Sequence, residues 1–390
     1  MKNPFNAQGP TDPRYYANRK ELLELFKQNI IGVKESKGVT KPVNIAVLGQ
    51  WGIGKTSTLY KFKHMLKKEC GNAKVFSSII SLKPASCADA DTFSVNVLET
   101  IYTDYASTVS LPDRVKNFIS QELRVVENWR ISRLSLKPEL ERKNATVRAI
   151  NLKTSLKRFW EKLEASGFDL AVIMLDDIHY TITEGQAGIL FNLRTDMQAL
   201  SAEGARFMFI ITGPMTLYPE MLDQAEPFTR LFERFNLEPF DPDGTRELIE
   251  KPLAAENMHL SVSNEVVQKI QSIAEGHPYF TTLIMRDLLN KRQEGKINLD
   301  EFIKIYPDVT EHFAKVKFDS DLTKATDAEK EILFKMAKTP KKELTPKEIG
   351  GKSKAKLLER LVKKDLVVKV ARGKYKLYSK LFKDYLSKRT

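Results

Sequence analysis

Four apolar runs stand out before residue 214: Val43 to Leu48, Lys74 to Leu82, Phe168 to Asp177 and Ala205 to Gly213. They read as buried strands. Between them the spacing turns helical, over Arg19 to Phe26 and beyond with apolar Leu22, Leu23, Leu25 and Phe26, through most of residues 89 to 165, and from Ala187 to Leu200. Short apolar strands alternating with helices predict a parallel α/β sheet covered on both faces. Ligands of such sheets collect at the C-terminal ends of the strands.

From Asp241 onward the periodicity is helical, through DPDGTRELIEKPLAAENM and NEVVQKIQSIAEGHPYFTTLIMRDLLNKRQEG, which predicts a small helical subdomain. The last segment has three helical stretches, TDAEKEILFKMAK, LTPKEI and KSKAKLLERLVKKD, then LVVKV-ARG-KYKL as a hairpin. That order predicts a winged helix-turn-helix. The expected domains are 1–40 as a leader, 41–240 as the α/β core, 241–320 as a helical lid and 321–390 as the winged helix.

The first apolar run leads into Gly49-Gln50-Trp51-Gly52-Ile53-Gly54-Lys55-Thr56-Ser57, which carries the pattern G-x-x-x-x-G-K-[ST]. Glycines let the backbone wrap phosphates so that successive N–H groups and the following helix N-terminus meet negative charge. Lys55 would reach the outer phosphates and Thr56 would ligate Mg2+. The pattern predicts a nucleoside triphosphate site.

Asp176 and Asp177 close the apolar strand LAVIMLDD. Asp176 would hold Mg2+ and Asp177 would orient or deprotonate the attacking water; the plainer alternative is two acids that begin a loop. Thr212 ends the next strand, where its hydroxyl could meet the γ-phosphate or water. In FTRLFERFNLEPF, Arg230 or Arg234 could neutralise charge in a neighbouring subunit's site, or simply pair with Glu233 or Glu238 on a helix surface. GHPYF places Gly276, His277 and Pro278 before an apolar helix, where free N–H groups or His277 could face phosphate and Pro278 suits the first helical turn.

Composition changes the picture only through charge. The chain of 390 residues carries a formal +13, but residues 321–390 hold 21 Lys and Arg against 9 Asp and Glu, leaving the rest nearly neutral. Such asymmetry predicts a polyanion-binding module attached to a neutral engine. In that module Leu357, Leu358, Leu361 and Val362 would be buried while Lys352, Lys354, Lys356, Arg360, Lys363 and Lys364 project toward a DNA duplex, with Arg372 and Lys374 at the hairpin tip. Lysines favour phosphate contact over base readout, so no sequence specificity follows. Leu111 to Trp160, with 12 basic and 5 acidic residues, is a second basic stretch, read mainly as a solvated helical insertion.

Two cysteines, Cys70 and Cys87, give no disulfide framework, and five scattered histidines give no zinc spacing. No apolar stretch reaches the roughly 20 residues that span a bilayer, and the N-terminus lacks an apolar signal core. The expected location is the cytoplasm, with no membrane partner.

With these motifs placed, the chain resembles archaeal AAA+ and STAND-type P-loop ATPases, the closest type being the group related to origin-recognition (Orc/Cdc6-like) initiators. The resemblance covers nearly the whole chain and implies an AAA+-like core, a helical lid and a C-terminal winged helix. NPFNAQGPTDPRYYANRKEL resembles the N-terminal box of that group, which implies that Pro13, Tyr16, Asn18 and Arg19 lie near adenine. It also implies that Thr212 is sensor 1, that Arg230 or Arg234 is the arginine finger of a homo-oligomer, and that His277-Pro278 is the lid motif.

Three positions depart from the initiators. Asp177 stands where AAA+ enzymes usually have Glu, as in the STAND branch, and His277 stands where initiators present a sensor arginine. Trp51 in GQWGIGKT resembles a membrane-associated branch of phosphate-loop ATPases. The leading expectation is an ATP- and Mg2+-dependent switch, slow in hydrolysis, that binds double-stranded DNA; the alternative is a signalling or scaffold ATPase whose winged helix docks a protein.

Overall fold

The computed structural model describes residues 3–36, 40–108, 113–134, 151–183, 185–186, 188–215, 228–292, 294–351 and 354–389. They form two compact units, one of Arg19–Gly49 and Thr58–Asn236, the other of Met1–Asn18, Gln50–Ser57 and Leu237–Thr390.

The first unit is built on strands β1 (Asn44–Gly49), β2 (Val75–Ser81), β3 (Leu170–Asp176), β4 (Phe207–Gly213) and β5 (Phe232–Leu237), in the order β2-β3-β4-β1-β5. The pairs β2/β3, β3/β4 and β4/β1 are parallel. Every residue of β3 and β4 is buried, which is why the sequence shows them as unbroken apolar runs rather than as alternation. Helix α1 (Lys20–Glu35) precedes β1; parallel neighbours require crossovers, supplied by helices α2 (Lys55–Lys68), α3 (Ala90–Thr108), α4 (Asp113–Leu134), α5 (Leu152–Ala165) and α6 (Gly188–Ala202).

Helix α5 shows how sequence fixes these elements. Asn151 caps it by accepting the Thr154 amide at 2.9 Å, and Leu152, Leu156, Phe159, Trp160 and Leu163 form one buried stripe. Phe159 meets Phe76 and Tyr105 edge to face at centroid distances of 5.2 and 5.3 Å. Several cations of the basic stretch are engaged in the fold: Arg158 pairs with buried Glu122 at 2.6 Å, while Lys153 and Lys157 reach Glu203. Residues 135–150 of that stretch lie outside the described residues.

Strand β5 corrects the helical surface considered for Arg234; Arg230 lies in the turn just before it. Phe232 and Leu237, at the two ends of the strand, are buried while Glu233 and Arg234 between them are exposed; the strand closes one edge of the sheet.

The second unit contains α7 (Pro242–Ala255), β6 (Leu260–Val262), α8 (Asn264–Ala274), α9 (Pro278–Lys291), β7 (Gly295–Ile297) and α10 (Leu299–Phe313). A π-helical turn over Ala314–Phe318 and a short helix over Asp319–Thr323 follow. Then come α11 (Asp327–Lys338), α12 (Pro346–Ile349), α13 (Ala355–Lys363), the antiparallel hairpin β8 (Val367–Ala371) and β9 (Lys374–Leu377), and α14 (Lys380–Ser387). The starts are written in the sequence: Asp241 caps α7, Ser263 caps α8, and Asn298/Glu301, Thr326/Glu329 and Thr345/Glu348 form capping boxes.

The boundary expected between residues 320 and 321 falls inside a shared core. Phe318 stacks on Phe313 at 5.8 Å and meets Phe382 and Tyr385 at 5.5 and 5.2 Å, so the helices before and after it pack as one body. Phe5 of the leader is buried in the same cluster. The short parallel pair β6/β7 was not visible in the helical periodicity, because three residues are too few to show a period.

Candidate nucleotide site and basic module

The loop after β1 has the backbone its glycines predict. Gly52 and Gly54 take φ of +74° and +103°, and α2 begins at Lys55. Beside Gly54 the space is open, so conformation alone requires glycine there. At Gly52 a Cβ would also lie 3.0 Å from His277 Cε1 and from Tyr279 Cβ. Lys55 donates from Nζ to the Gln50 carbonyl at 3.0 Å, buried Ile53 anchors the loop, and Ser57 accepts the Thr11 amide at 3.0 Å. A loop of this backbone leading into a helix N-terminus is of the kind that suits an anion.

The GHPYF turn packs on this loop. His277, buried, donates from Nε2 to the Trp51 carbonyl at 3.0 Å, and since a carbonyl only accepts, Nε2 carries the proton. Burial pushes the imidazole down to about 4, so His277 is neutral near pH 7 and serves as a strap on the loop, not as a cationic phosphate sensor. Pro278 opens α9 at its first position, and Tyr279 meets the Trp51 indole at 4.6 Å. Lys317, in the π-helical turn, places its ammonium 3.9 Å from the centroid of the same indole. Sequence reading missed Tyr279 and Lys317: the tyrosine lies within a motif already noticed, but nothing in AKVKF distinguishes one lysine from the other.

The leader is held against α7. Asn18 donates its amide N–H to Glu247, Lys251 donates to the Tyr16 carbonyl at 2.6 Å, and Tyr15 donates to Glu256 at 2.5 Å. Burial and that carboxylate push the Tyr15 hydroxyl up to about 12. The Asn18 side chain lies so close over Gly244 that a Cβ there would sit 2.3 Å from its Nδ2. Tyr16 is buried and Pro13 half-buried, while Arg19, with φ of +65°, immediately precedes α1 in the other unit.

In the sheet unit, Thr212 joins the two acids. Its hydroxyl accepts the Asp177 amide at 2.9 Å and donates to Asp176 Oδ1 at 2.5 Å. The hydroxyl proton is therefore directed at Asp176, and Thr212 ties the two acids together. Asp176 is buried, and Asp177 is held in the left-handed region at φ +61°, a conformation few non-glycine residues adopt. His179 Nδ1 lies 3.7 Å from Asp177 Oδ1. Among the described residues no cluster of three His, Cys, Asp or Glu is gathered to cage a metal. A single carboxylate such as Asp176 is the kind of ligand Mg2+ takes, since that ion keeps few protein ligands. Arg230 and Arg234, both exposed, lie just before β5 and within it.

The basic module has the helix, helix, helix and hairpin order predicted for a winged helix. On α13, Leu358 and Leu361 are fully buried, with Leu357 and Val362 partly so. Lys356, Arg360 and Lys363 are exposed, as are Arg372 and Lys374 at the hairpin, while Lys354 is half-buried at the start of α13. Lys352 lies outside the described residues. Lys364 does not project outward: its ammonium lies 2.6 Å from Glu329, a carboxylate with 1% of its side chain exposed. Helical phase alone put Lys364 with its neighbours, whereas the end of α13 turns it inward. Lys374 lies 3.5 Å from Glu343.

The sheet order, the loop after β1 and the acids after β3 decide the architecture. The fold is that of a P-loop NTPase. The P-loop domain of the KAP family matches residues 26–194, under half of the chain. Similar solved structures include a Walker-type ATPase of Pyrococcus abyssi, 16% identical, covering 98% of this chain and 99% of that one with a TM-score of 0.60. The ORC2 protein of Aeropyrum pernix, in ADPNP–ADP complexes, is 11% identical over 99% of this chain and 96% of that one, with a TM-score of 0.63. Its ADP form is 13% identical over 98% of each chain, with a TM-score of 0.58. Comparison with curated protein sequences returned no match. No described helix is long and apolar enough to cross a membrane.

Proposed function

We propose that the chain is an ATP-binding molecular switch that hydrolyses ATP slowly and binds DNA through its basic C-terminal winged helix. The observation that carries the nucleotide half is the loop itself: left-handed Gly52 and Gly54 leading into the N-terminus of α2, with Lys55 and Thr56 at its first two positions. Backbone groups of Gly49 to Gly54 would cradle phosphate, and Lys55 would neutralise its outer charge. Thr56 and Asp176 would hold Mg2+, which supplies charge neutralisation between the phosphates. Asp177 would orient the attacking water. Its arm is one methylene shorter than the Glu usual in fast AAA+ enzymes, which supports slow turnover. The ADPNP and ADP complexes of the A. pernix ORC2 protein support an adenine nucleotide as the ligand.

For the DNA half, support comes from the exposed Lys356, Arg360, Lys363 and Arg372 in the segment that carries the chain's excess charge. Protein docking is the second reading, favoured by the inward turn of Lys364 and the pairing of Lys374, both of which thin the basic face. Homo-oligomerisation through Arg230 or Arg234 fits their exposure.

Titration with labelled ATP tests the first half: Lys55→Ala should abolish binding, and unchanged binding would overturn the site. A gel shift on duplex DNA, with and without ATP and across salt, tests the second. Counterion release predicts a steep fall of affinity with salt. Absence of any shift at low salt would overturn DNA binding and favour docking. Surface substitutions serve better than truncation at residue 320, which would expose Phe313 and Phe318.

A further inference from the structure

Trp51 is held from three sides by residues of its own unit. His277 takes its carbonyl, Tyr279 meets the edge of the ring, and Lys317 covers its face at 3.9 Å. The indole is nonetheless 44% exposed, so its position depends on these contacts and not on deep burial. The adjacent Gln50 carbonyl takes the Lys55 ammonium at 3.0 Å, which ties the orientation of the Gln50-Trp51 peptide to that of the phosphate-binding lysine.

Lys317 is itself a fixed group. Only 13% of its side chain is exposed, and its ammonium donates to Asp321 at 2.8 Å. Asp321, with 2% of its side chain exposed, also receives Lys324 at 2.7 Å and the Tyr378 hydroxyl at 2.7 Å. Burial opposes ionisation of this carboxyl, but the bonds from the two lysines outweigh burial and hold it below its ordinary value, so it remains the anion that orients Lys317. The residue sits in the π-helical turn Ala314–Phe318, a wide turn that breaks the register between α10 and the short helix after it. Such turns are uncommon and recur at functional positions.

We propose that Lys317 is a positioning residue for the phosphate loop, acting through the Trp51 indole to hold the Gln50–Gly52 stretch open for nucleotide. The inference rests on the nucleotide-site reading above and adds to it a contact from outside the phosphate-loop motif. The lysine does not touch phosphate; its cation–π contact fixes the ring whose backbone forms the first half of the cradle.

The test uses the full chain, with labelled ATP for affinity and steady-state turnover for kcat and KM. Lys317→Met keeps the length of the arm and removes the charge, and should weaken ATP affinity and raise KM by about tenfold, within the range of a partly desolvated cation–π contact, with little change in kcat. Lys317→Arg, which stacks on indole at least as well, should restore affinity. Trp51→Leu should give a similar loss, and the double variant should be no worse than either single one, because both remove the same contact.

Wild-type affinity in Lys317→Met, failure of arginine to rescue, or losses that multiply in the double variant would each overturn the proposal. If Lys317→Met unfolds, as shown by circular dichroism, the comparison of Trp51→Leu with Trp51→Phe decides: Phe should retain most of the affinity, and equal loss in both would count against the contact. Absence of ATP binding by the wild-type chain would instead overturn the nucleotide-site reading beneath it.

Discussion

His277 donates its Nε2 proton to the Trp51 carbonyl across 3.0 Å and is otherwise enclosed by the lid turn. Burial lowers the imidazole from 6.5 to about 4, so the fold disfavours its protonated form while the unfolded chain accepts the proton normally. Between those two values the unfolded state binds more protons, and stability is complete above about pH 6.5 and declines as pH falls toward 4. The total contribution is on the order of 3 kcal/mol. His277→Gln preserves a donor without the titration. Melting temperatures from pH 7.5 to 5 should fall more steeply for the wild type than for the variant, and parallel curves would refute this assignment.

Thr212 bridges the acid pair, so its loss should reach both chemistry and stability. Thr212→Val leaves buried Asp176 without its hydroxyl donor and the Asp177 amide without its acceptor. We expect about 1–3 kcal/mol of destabilisation by denaturant titration, together with reduced turnover. Asp177→Asn should behave differently: ATP binding retained and turnover lowered by roughly 10²–10⁴. Equal turnover in Asp177→Asn and wild type would remove Asp177 from the chemistry.

Gly276 tests the backbone of the lid turn. It adopts φ +73° and its carbonyl accepts the Phe240 amide at 2.8 Å, while a Cβ would fall 2.0 Å from the Phe240 carbonyl oxygen. Gly276→Ala must therefore pull the turn off Phe240, costing at least ~2 kcal/mol by urea unfolding. Gly188→Ala, where a Cβ meets nothing within 4 Å, is the matched control and should be near neutral.

Lys364 and Lys356 separate structural from surface cations on one helix. Removing Lys364 strands the Glu329 carboxylate, so Lys364→Met should cost about 3 kcal/mol of stability without altering the salt dependence of DNA binding. Lys356→Ala should leave stability within ~0.5 kcal/mol and, if its ammonium meets a phosphate, lower the salt slope by about one. Melting curves and gel shifts over a salt series distinguish the two, and a salt slope that changes in Lys364→Met would contradict the inward role.

Legibility tracked the range of the interaction. Strands β1, β3 and β4 were readable because strands buried on both faces must be apolar throughout, β2 because its buried Phe76, Ser78 and Ile80 alternate with less buried positions, and the helix starts because Asn151, Asp241 and Asn298 cap amides only three residues away. Strand β5 was not, since only its two ends are buried and FERFNL carries neither an apolar run nor a clean alternation. Among site residues, Gly52, Gly54 and Lys55 could be named because their task is set by local backbone geometry. The neutral state of His277 could not, because it follows from burial by residues distant in the chain.

By itself the sequence determined the phosphate-binding loop, the acids at the end of an apolar strand, the α/β class and the concentration of charge near the C-terminus, all of which are local or additive properties. Tertiary structure alone decided that Thr212 bridges Asp176 and Asp177, that Lys364 turns inward to Glu329, that the helical subdomain and basic module share one core, and that Lys317 covers Trp51. Each of these joins residues tens to hundreds of positions apart, and side chains so separated meet only once packing has fixed which faces are turned toward each other.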